Sequence, residues 1–450
     1  MEKQKQSLNA KESTTPTPQT ESRLRLEYLD GLRGLAALYV VFHHAYLQST
    51  SSADRFNLRT PLNRALHFLD YGHFAVAIFI VLSGYCLMIP LAKTRTEPLR
   101  GGFIGYIWRR AKRILPPYYA VIGFTFLLMI LEPRLTQRMD VYWDLVLPLP
   151  GTEFRGGVIP NILREVELPA YTNGTVLSHL FLVQNWVKGW IYQIGYPLWS
   201  VATEWQIYFL FPLLLWIRRR AGNVMMAAAA VLLGAMTRLI PGHPGEQGSV
   251  WFIGAFGLGM LGAAVSFSTE DTVKRFRERL PWGVISGVLF GLFLLMGLIN
   301  SRLLEDWNTF WIIDTYLGVA VMCLLIACTR SIQSGRMHLN LPLRLFDLRP
   351  SVFLGKFSYS LYLVHAPILA WLHLHVRVRT YSETVACLWM FGLGVPLCIL
   401  ASYLFYLLCE RPFVSQTAKS KVQKVKPADE TASSQVAPIE PYLTPRPSEK

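Results

Sequence analysis

Long apolar stretches alternate with short polar ones along most of this chain. Ten of them approach the length of about 20 residues that an α-helix needs to cross the apolar core of a bilayer. They cover residues 30–47, 73–91, 114–131, 196–216, 223–240, 250–267, 282–299, 308–328, 352–373 and 384–408. The pattern predicts an all-α fold, a polytopic transmembrane helix bundle of about 10 spans.

The two ends of the chain are polar instead. Residues 1–27 contain a Thr- and Pro-rich patch, and residues 415–450 are rich in Ser and Pro. Such compositions cannot bury enough apolar surface to fold, so both ends are predicted to be disordered tails. The N-terminal tail also lacks the apolar core of a signal peptide. The membrane domain is therefore expected over residues 28–414.

Composition and charge agree with this class of protein. The chain is 52% hydrophobic and 16% charged, with a net charge of +15. Its basic residues cluster in short loops between apolar stretches, as the positive-inside rule requires of cytosolic loops. This arrangement places both termini in the cytosol, and it favours a lipid bilayer rather than nucleic acid as the partner. The six cysteines lie in or beside apolar stretches without metal-ligand spacing, so we expect no metal site and no disulfide framework.

The first apolar stretch carries unusual chemistry. Ionisable groups inside a membrane helix cost several kcal/mol and usually mark a site or pathway. This stretch contains Asp30, Arg33, His43 and His44. Arg33 and His44 are eleven positions apart, which places them on one helix face and roughly 16 Å apart along the axis. His43 points about 100° away from that face. Asp30 lies one turn before Arg33 and can pair with it.

Two further groups of polar residues occur near the cytosolic ends of other stretches. Arg110 and Arg113 belong to a basic turn that either sets topology or binds an anion, because guanidinium groups fork onto phosphate oxygens. The Glu410-Arg411-Pro412 sequence closes the last stretch and is most simply a cytosolic end anchor.

Polar residues also interrupt two apolar stretches. Glu204 lies inside one of them, where a carboxyl must be paired, protonated or in contact with a polar cavity. Ser358, Tyr362 and His365 recur at helical spacing and form a polar stripe, which suits either a packing seam or a cavity wall.

Two short patterns complete the sequence. Asn173-Gly174-Thr175 is an N-glycosylation acceptor in the long outer loop over residues 133–195. Gly283, Gly287 and Gly291 make a ridge of small residues that predicts close helix packing.

Taken together, these stretches resemble the acyltransferase 3 family of integral membrane O-acyltransferases. The resemblance rests on Asp30-Gly31-Leu32-Arg33-Gly34, with ten residues between Arg33 and His44. The supporting motifs follow in the family's order: residues 79–85, the Arg110 and Arg113 pair, Trp199-Ser200 with Glu204, residues 358–362 before His365, and Glu410-Arg411-Pro412. Trp205 departs from the pattern, since many bacterial relatives carry a second Glu there.

The resemblance implies acyl transfer from acyl-CoA, as donor co-substrate, to a hydroxyl group, with no permanently bound cofactor. The implied catalytic residues are His44 as general base, Arg33 and Asp30. Arg110 and Arg113 would bind the donor's phosphates. The candidates for the substrate pocket are His43, Glu204, Tyr359 and His365.

The acceptor has two candidates at this stage. Stand-alone members with a glycosylation acceptor such as Asn173 resemble fungal enzymes of secondary metabolism. We therefore expect transfer of a short acyl group to a small-molecule alcohol, in the endoplasmic reticulum or another endomembrane. O-acetylation of a sugar or cell-wall polysaccharide is the alternative. A proton-coupled transporter could use the same buried Arg, His and Glu residues, although no internal repeat supports it.

Overall fold

The computed structural model describes residues 26–50, 61–93, 96, 98–131, 172–187, 190–237, 249–299, 309–337, 340–377 and 382–413. Every regular element in these ranges is helical, so the all-α prediction is confirmed for them. The predicted tails lie outside them, apart from Leu26 and Glu27, and Glu27 begins the first helix.

The α-helices are numbered here in chain order. They are α1 (Glu27–Ser49), α2 (Pro61–Leu66), α3 (His73–Met88), α4 (Gly102–Leu131), α5 (Asn173–Leu180), α6 (Leu198–Met236), α7 (Phe252–Phe267), α8 (Asp271–Arg279), α9 (Trp282–Ile299), α10 (Phe310–Gln333), α11 (Leu341–Phe346), α12 (Arg349–Lys356), α13 (Ser358–Arg377), α14 (Glu383–Trp389) and α15 (Val395–Phe405). Two π-helical turns, Met390–Gly394 and Tyr406–Glu410, precede and follow α15.

Within the described ranges, six helical segments are long and apolar enough to cross a membrane, and the number rises to eight if each of two bent pairs is one span. The pairs are α7 with α8, bent by 99°, and α12 with α13, bent by 74°. Each of the ten predicted stretches overlaps a helix, but the structure supports six to eight candidate spans rather than ten. The orientation of the termini stays a prediction.

Two details account for part of this difference. Helix α1 is too polar to count as a span, yet most of its residues are buried. Two predicted spans fall within α6, whose 39 residues would be about 58 Å long, roughly twice the apolar thickness of a bilayer. Gly222 breaks this helix with a left-handed φ of 91°, between the two predicted stretches.

Two packing centres organise the bundle. Helix α7 is surrounded by α3, α6 and α10, while α1 packs against α3, α12 and α13. Where α3 crosses α7, Gly84 lies against the backbone of Phe256, and Gly259 lies against the backbone of Val81. Glycine is needed at both positions because a Cβ atom would collide with the opposite main chain.

The same device joins α1 to the segment that precedes α13. Gly31 lies against the backbone of Phe346, and Gly34 lies against the backbone of Ser351. From the other side, Gly355 lies against the backbone of Asp30. The glycines of the Asp30–Gly34 motif thus let α1 approach both the end of α11 and α12 at main-chain distance.

The prediction of close helix packing along the glycine ridge of α9 is wrong for two of its three glycines. Within the described part of the chain, a Cβ atom at Gly287 or Gly291 would meet nothing within 4 Å, and at Gly283 it would only reach Ala327 at 4.0 Å. Helix α9 buries only Trp282 and Ser286 of its own residues. The ridge therefore faces away from the bundle.

Replacing Gly355 by Ala should lower the thermal stability of the purified protein markedly. The new methyl group would overlap the main chain of Asp30, and overpacking of this kind costs about 1–3 kcal/mol or more. Gly287→Ala is the matched control, because the same methyl group meets open space there. Melting curves in detergent that fall equally for both variants, or for neither, would contradict the packing described here.

Candidate active site

A cavity of about 110 Å³ opens between α1, α3, α4, α6 and α13. Its lining brings together residues that are far apart in the sequence. The polar members are Arg33, Ser83, Cys86, Arg110, Arg113, Ser200, Glu204, Tyr208, Ser358, Tyr359 and Tyr362. Five predicted site residues are among them, namely Arg33, Arg110, Arg113, Glu204 and Tyr359.

Arg33 lies between an acid and a thiol. Its Nη1 atom donates to Asp30 Oδ1 at 3.1 Å, and its Nη2 atom donates to Cys86 Sγ at 3.0 Å. The Arg33 side chain is 19% exposed, whereas that of Asp30 is 49% exposed. Asp30 does not line the cavity. It therefore orients the guanidinium from outside, and Cys86 fixes it from inside.

Arg110 and Arg113 lie one turn apart on α4. Neither forms a hydrogen bond or a salt bridge with any residue that the structure describes, and Arg110 Nε is buried without a partner. With Arg33 they give the cavity three positive groups against one carboxylate, Glu204. Guanidinium groups that no protein group neutralises favour an anionic ligand.

Glu204 faces this cavity, as a carboxyl within an apolar helix requires. It accepts a hydrogen bond from the Tyr208 hydroxyl, which lies one turn further along α6. Tyr208 in turn contacts the Ser83 hydroxyl at 2.8 Å. This chain of hydroxyl groups holds the carboxylate on the cavity wall and joins α6 to α3.

Two histidines meet deeper in the bundle. His365 Nε2 lies 3.2 Å from His44 Nδ1, and the two rings are 4.9 Å apart. Both are buried, His44 with 5% and His365 with 0% exposure. His44 belongs to α1 and His365 to α13, and these two helices pack against each other.

The hydrogen bonds of this pair determine which nitrogens carry protons. His365 Nδ1 lies 3.0 Å from the Leu361 carbonyl, and His44 Nδ1 lies 2.9 Å from the Val40 carbonyl. A carbonyl only accepts, so both Nδ1 atoms donate, and in neutral rings both Nε2 atoms carry a lone pair. The single Nδ1 proton of His44 is then shared between two acceptors, the Val40 carbonyl and His365 Nε2. His44 Nε2 is left buried, basic and without a partner among the described residues.

The histidine pair is separated from the cavity by one layer of side chains. Tyr362 lines the cavity, and its ring lies 6.0 Å from that of His365. Its hydroxyl is 2.6 Å from that of Ser200, which also lines the cavity. Tyr196 contacts the His44 ring at 5.1 Å.

Two further candidates have structural contacts. His43 contacts the Leu69 carbonyl through Nδ1 at 2.5 Å and lies outside the cavity lining, although its ring is 4.8 Å from that of His44. Tyr359 donates to the Ile114 carbonyl at 3.0 Å and so ties α13 to α4.

The glycosylation acceptor Asn173 is exposed and begins α5. The hydroxyl of Thr175 is buried against that of Thr172, at 3.0 Å. Glycosylation at this position stays a prediction.

Sequence reasoning missed Cys86 and the contact between the two histidines. Cys86 directly follows the motif over residues 79–85 that supports the family resemblance, but that motif does not include the thiol. Only the fold brings His44 and His365 together across more than 300 residues.

Known proteins resemble this chain over most of its length. Residues 26–407 match the family model described as "Acyltransferase domain". A Staphylococcus aureus (strain COL) protein named "Putative O-acetyltransferase" is 25% identical over 412 residues, which cover 87% of this chain and 58% of that protein. "Peptidoglycan O-acetyltransferase OatA" of Listeria monocytogenes is 24% identical over 375 residues, 77% of this chain and 50% of that protein.

The chain thus spans 50–58% of the length of these two relatives. No solved structure matches it significantly.

The charge of the cavity can be tested at Cys86. An anionic methanethiosulfonate should modify Cys86 several times faster than a cationic one, because three arginines attract the anion. A Cys409→Ser variant isolates Cys86, which is the partly exposed thiol in the cavity. A Cys86→Ser variant isolates the other partly exposed thiol, Cys409, as a control. Equal rates of the two reagents at Cys86 would refute a positive cavity.

Proposed function

This chain belongs to the acyltransferase 3 family of membrane O-acyltransferases, and we propose that it transfers an acetyl or other short acyl group from acyl-CoA to a carbohydrate hydroxyl. The observation that carries this proposal is the unpartnered, basic Nε2 atom of His44 beyond an arginine-lined cavity. Family membership makes the chain an acyltransferase, which displaces the transporter alternative.

His44 is the proposed general base. Its Nε2 atom would take the proton from the acceptor hydroxyl as that oxygen attacks the thioester carbonyl. The C–S bond then breaks, and the CoA thiolate leaves with the proton that His44 returns. The Val40 carbonyl accepts from His44 Nδ1 and so holds the ring in the required tautomer, and His365 Nε2 is a second acceptor for the same proton. It would also stabilise the imidazolium that forms.

The arginines suit an acyl-CoA donor. Arg110 and Arg113 are available for phosphate groups in the cavity. The long, thin pantetheine arm would have to pass between Tyr362 and Ser200, whose hydroxyls are in contact, to bring the thioester to the histidines. Arg33, held by Asp30 and Cys86, could stabilise the negative charge that develops on the thioester oxygen.

The acceptor is inferred from the relatives. They are named O-acetyltransferases, and one of them is named for peptidoglycan. These names favour the carbohydrate alternative over the small-molecule alcohol of secondary metabolism that the sequence suggested. The chain is an integral multi-pass membrane protein, while the endomembrane location stays a prediction.

Replacing His44 by Ala should lower CoA release from acetyl-CoA about 10²- to 10⁴-fold, the usual contribution of a general base. The assay uses detergent-purified protein, with acetyl-CoA and a few longer acyl-CoAs as donors and a carbohydrate acceptor. His43→Ala is the matched control, because it removes the neighbouring ring but leaves the His44–His365 contact. Full activity of His44→Ala, with loss in His43→Ala, would transfer the role of base to His43.

Replacing Arg110 and Arg113 together by Ala should raise the KM for acyl-CoA. A hydrogen bond to a charged group contributes about 1.5–3 kcal/mol, so a rise of at least about tenfold is expected. Lys112→Ala removes a positive charge from the same turn, but this side chain lies over Trp108 and outside the cavity lining. A KM that is unchanged in the double variant would make the pair a topological signal alone.

A further inference from the structure

The end of the last helical segment contains a buried acid that the proposed reaction does not use. Glu410 closes the π-helical turn Tyr406–Glu410 and is 5% exposed, the one buried residue of that turn. Leu408, two positions earlier, is 76% exposed. A buried carboxylate is costly unless it is paired, so its contacts indicate its role.

Those contacts lie at the beginning of α13. Glu410 Oε2 accepts from the Ser360 backbone N–H at 3.2 Å and from the Ser360 hydroxyl at 2.6 Å. The first N–H groups of a helix have no partner within it, and negative charge there is favourable. Glu410 therefore caps α13 from another helix.

The π-helical turn explains how Glu410 reaches this position. A π turn contains an extra residue and shifts the side chains that follow to a different face, and such turns often occur at functional sites. The segment after α15 packs against α4 as well as α13. Glu410 consequently lies between α4 and α13. These helices contribute Arg113 and Tyr359, respectively, to the lining of the cavity.

Arg113 is the nearby charge on α4. The turn that ends at Glu410 packs against this helix, although Glu410 and Arg113 form no salt bridge. One buried carboxylate thus lies between the beginning of α13, which it caps, and the helix that carries Arg113.

We infer that Glu410 is a positioning residue for acyl transfer. It fixes the beginning of α13, and hence His365 behind His44, and its charge partly offsets that of Arg113. The end anchor expected from the Glu410-Arg411-Pro412 motif would then be an element of the active site. This inference rests on the proposed function.

Two substitutions separate the contacts of Glu410 from its charge. Glu410→Gln keeps an acceptor for Ser360 but removes the negative charge, so kcat should stay near that of the wild type while the KM for acetyl-CoA falls. Glu410→Ala removes both, and kcat should fall roughly tenfold, as expected for the loss of a charge-assisted hydrogen bond. Ser360→Ala removes one of the two bonds and should lie between them.

The lower KM of Glu410→Gln must depend on Arg113. In an Arg113→Ala background the substitution should leave the KM unchanged. A fall of equal size in that background would overturn the coupling, and wild-type kcat in Glu410→Ala would overturn the positioning role. If Glu410→Ala does not fold, Glu410→Gln and Ser360→Ala still decide both points.

Two readouts do not need acyl transfer. Hydrogen–deuterium exchange over residues 357–365 should be faster in Glu410→Ala than in Glu410→Gln. In the Cys409→Ser background, the anionic thiol reagent should modify Cys86 faster when Glu410 is Gln. If the wild type releases no CoA, the proposed function fails, but these two measurements still support the capping and charge roles or refute them.

Discussion

The contact between α1 and α12 at main-chain distance is the constraint on which the rest of the site depends. Gly34 and Gly355 permit it, and Gly31 permits the neighbouring contact with the end of α11, because each lies where any side chain would meet backbone atoms. The chain then bends by 74° into α13. This geometry brings His365 against His44. The motif around Asp30 therefore has a packing role in its glycines, and its arginine has the chemical role proposed above.

Charge is distributed unevenly between the cavity and the histidine pair. The cavity carries three guanidinium groups, whereas the His44–His365 pair lies among aromatic and aliphatic side chains with neutral hydrogen-bond partners. An anionic group would be held in the cavity, while only an uncharged group could pass Tyr362 at low cost. The two parts of the site thus suit the two ends of one long molecule.

The sequence predicted the helical class, the family and five of the residues that line the cavity, because ionisable groups inside apolar helices are rare enough to stand out. It did not predict contacts between distant segments, such as His44 with His365 or Ser360 with Glu410. The prediction of close packing along the glycine ridge of α9 was wrong for a related reason. Glycine spacing shows that a face is smooth, but it does not show whether another helix covers that face, and Gly287 meets nothing.

The burial of His44 has a consequence for the fate of the donor. With 5% exposure, the basic nitrogen lies where bulk water is scarce. An activated thioester beside it would be protected from wasteful hydrolysis until an alcohol arrives. In the proposed reaction, the choice between alcohol and water is then made by access to a dry compartment, before any recognition of the acceptor.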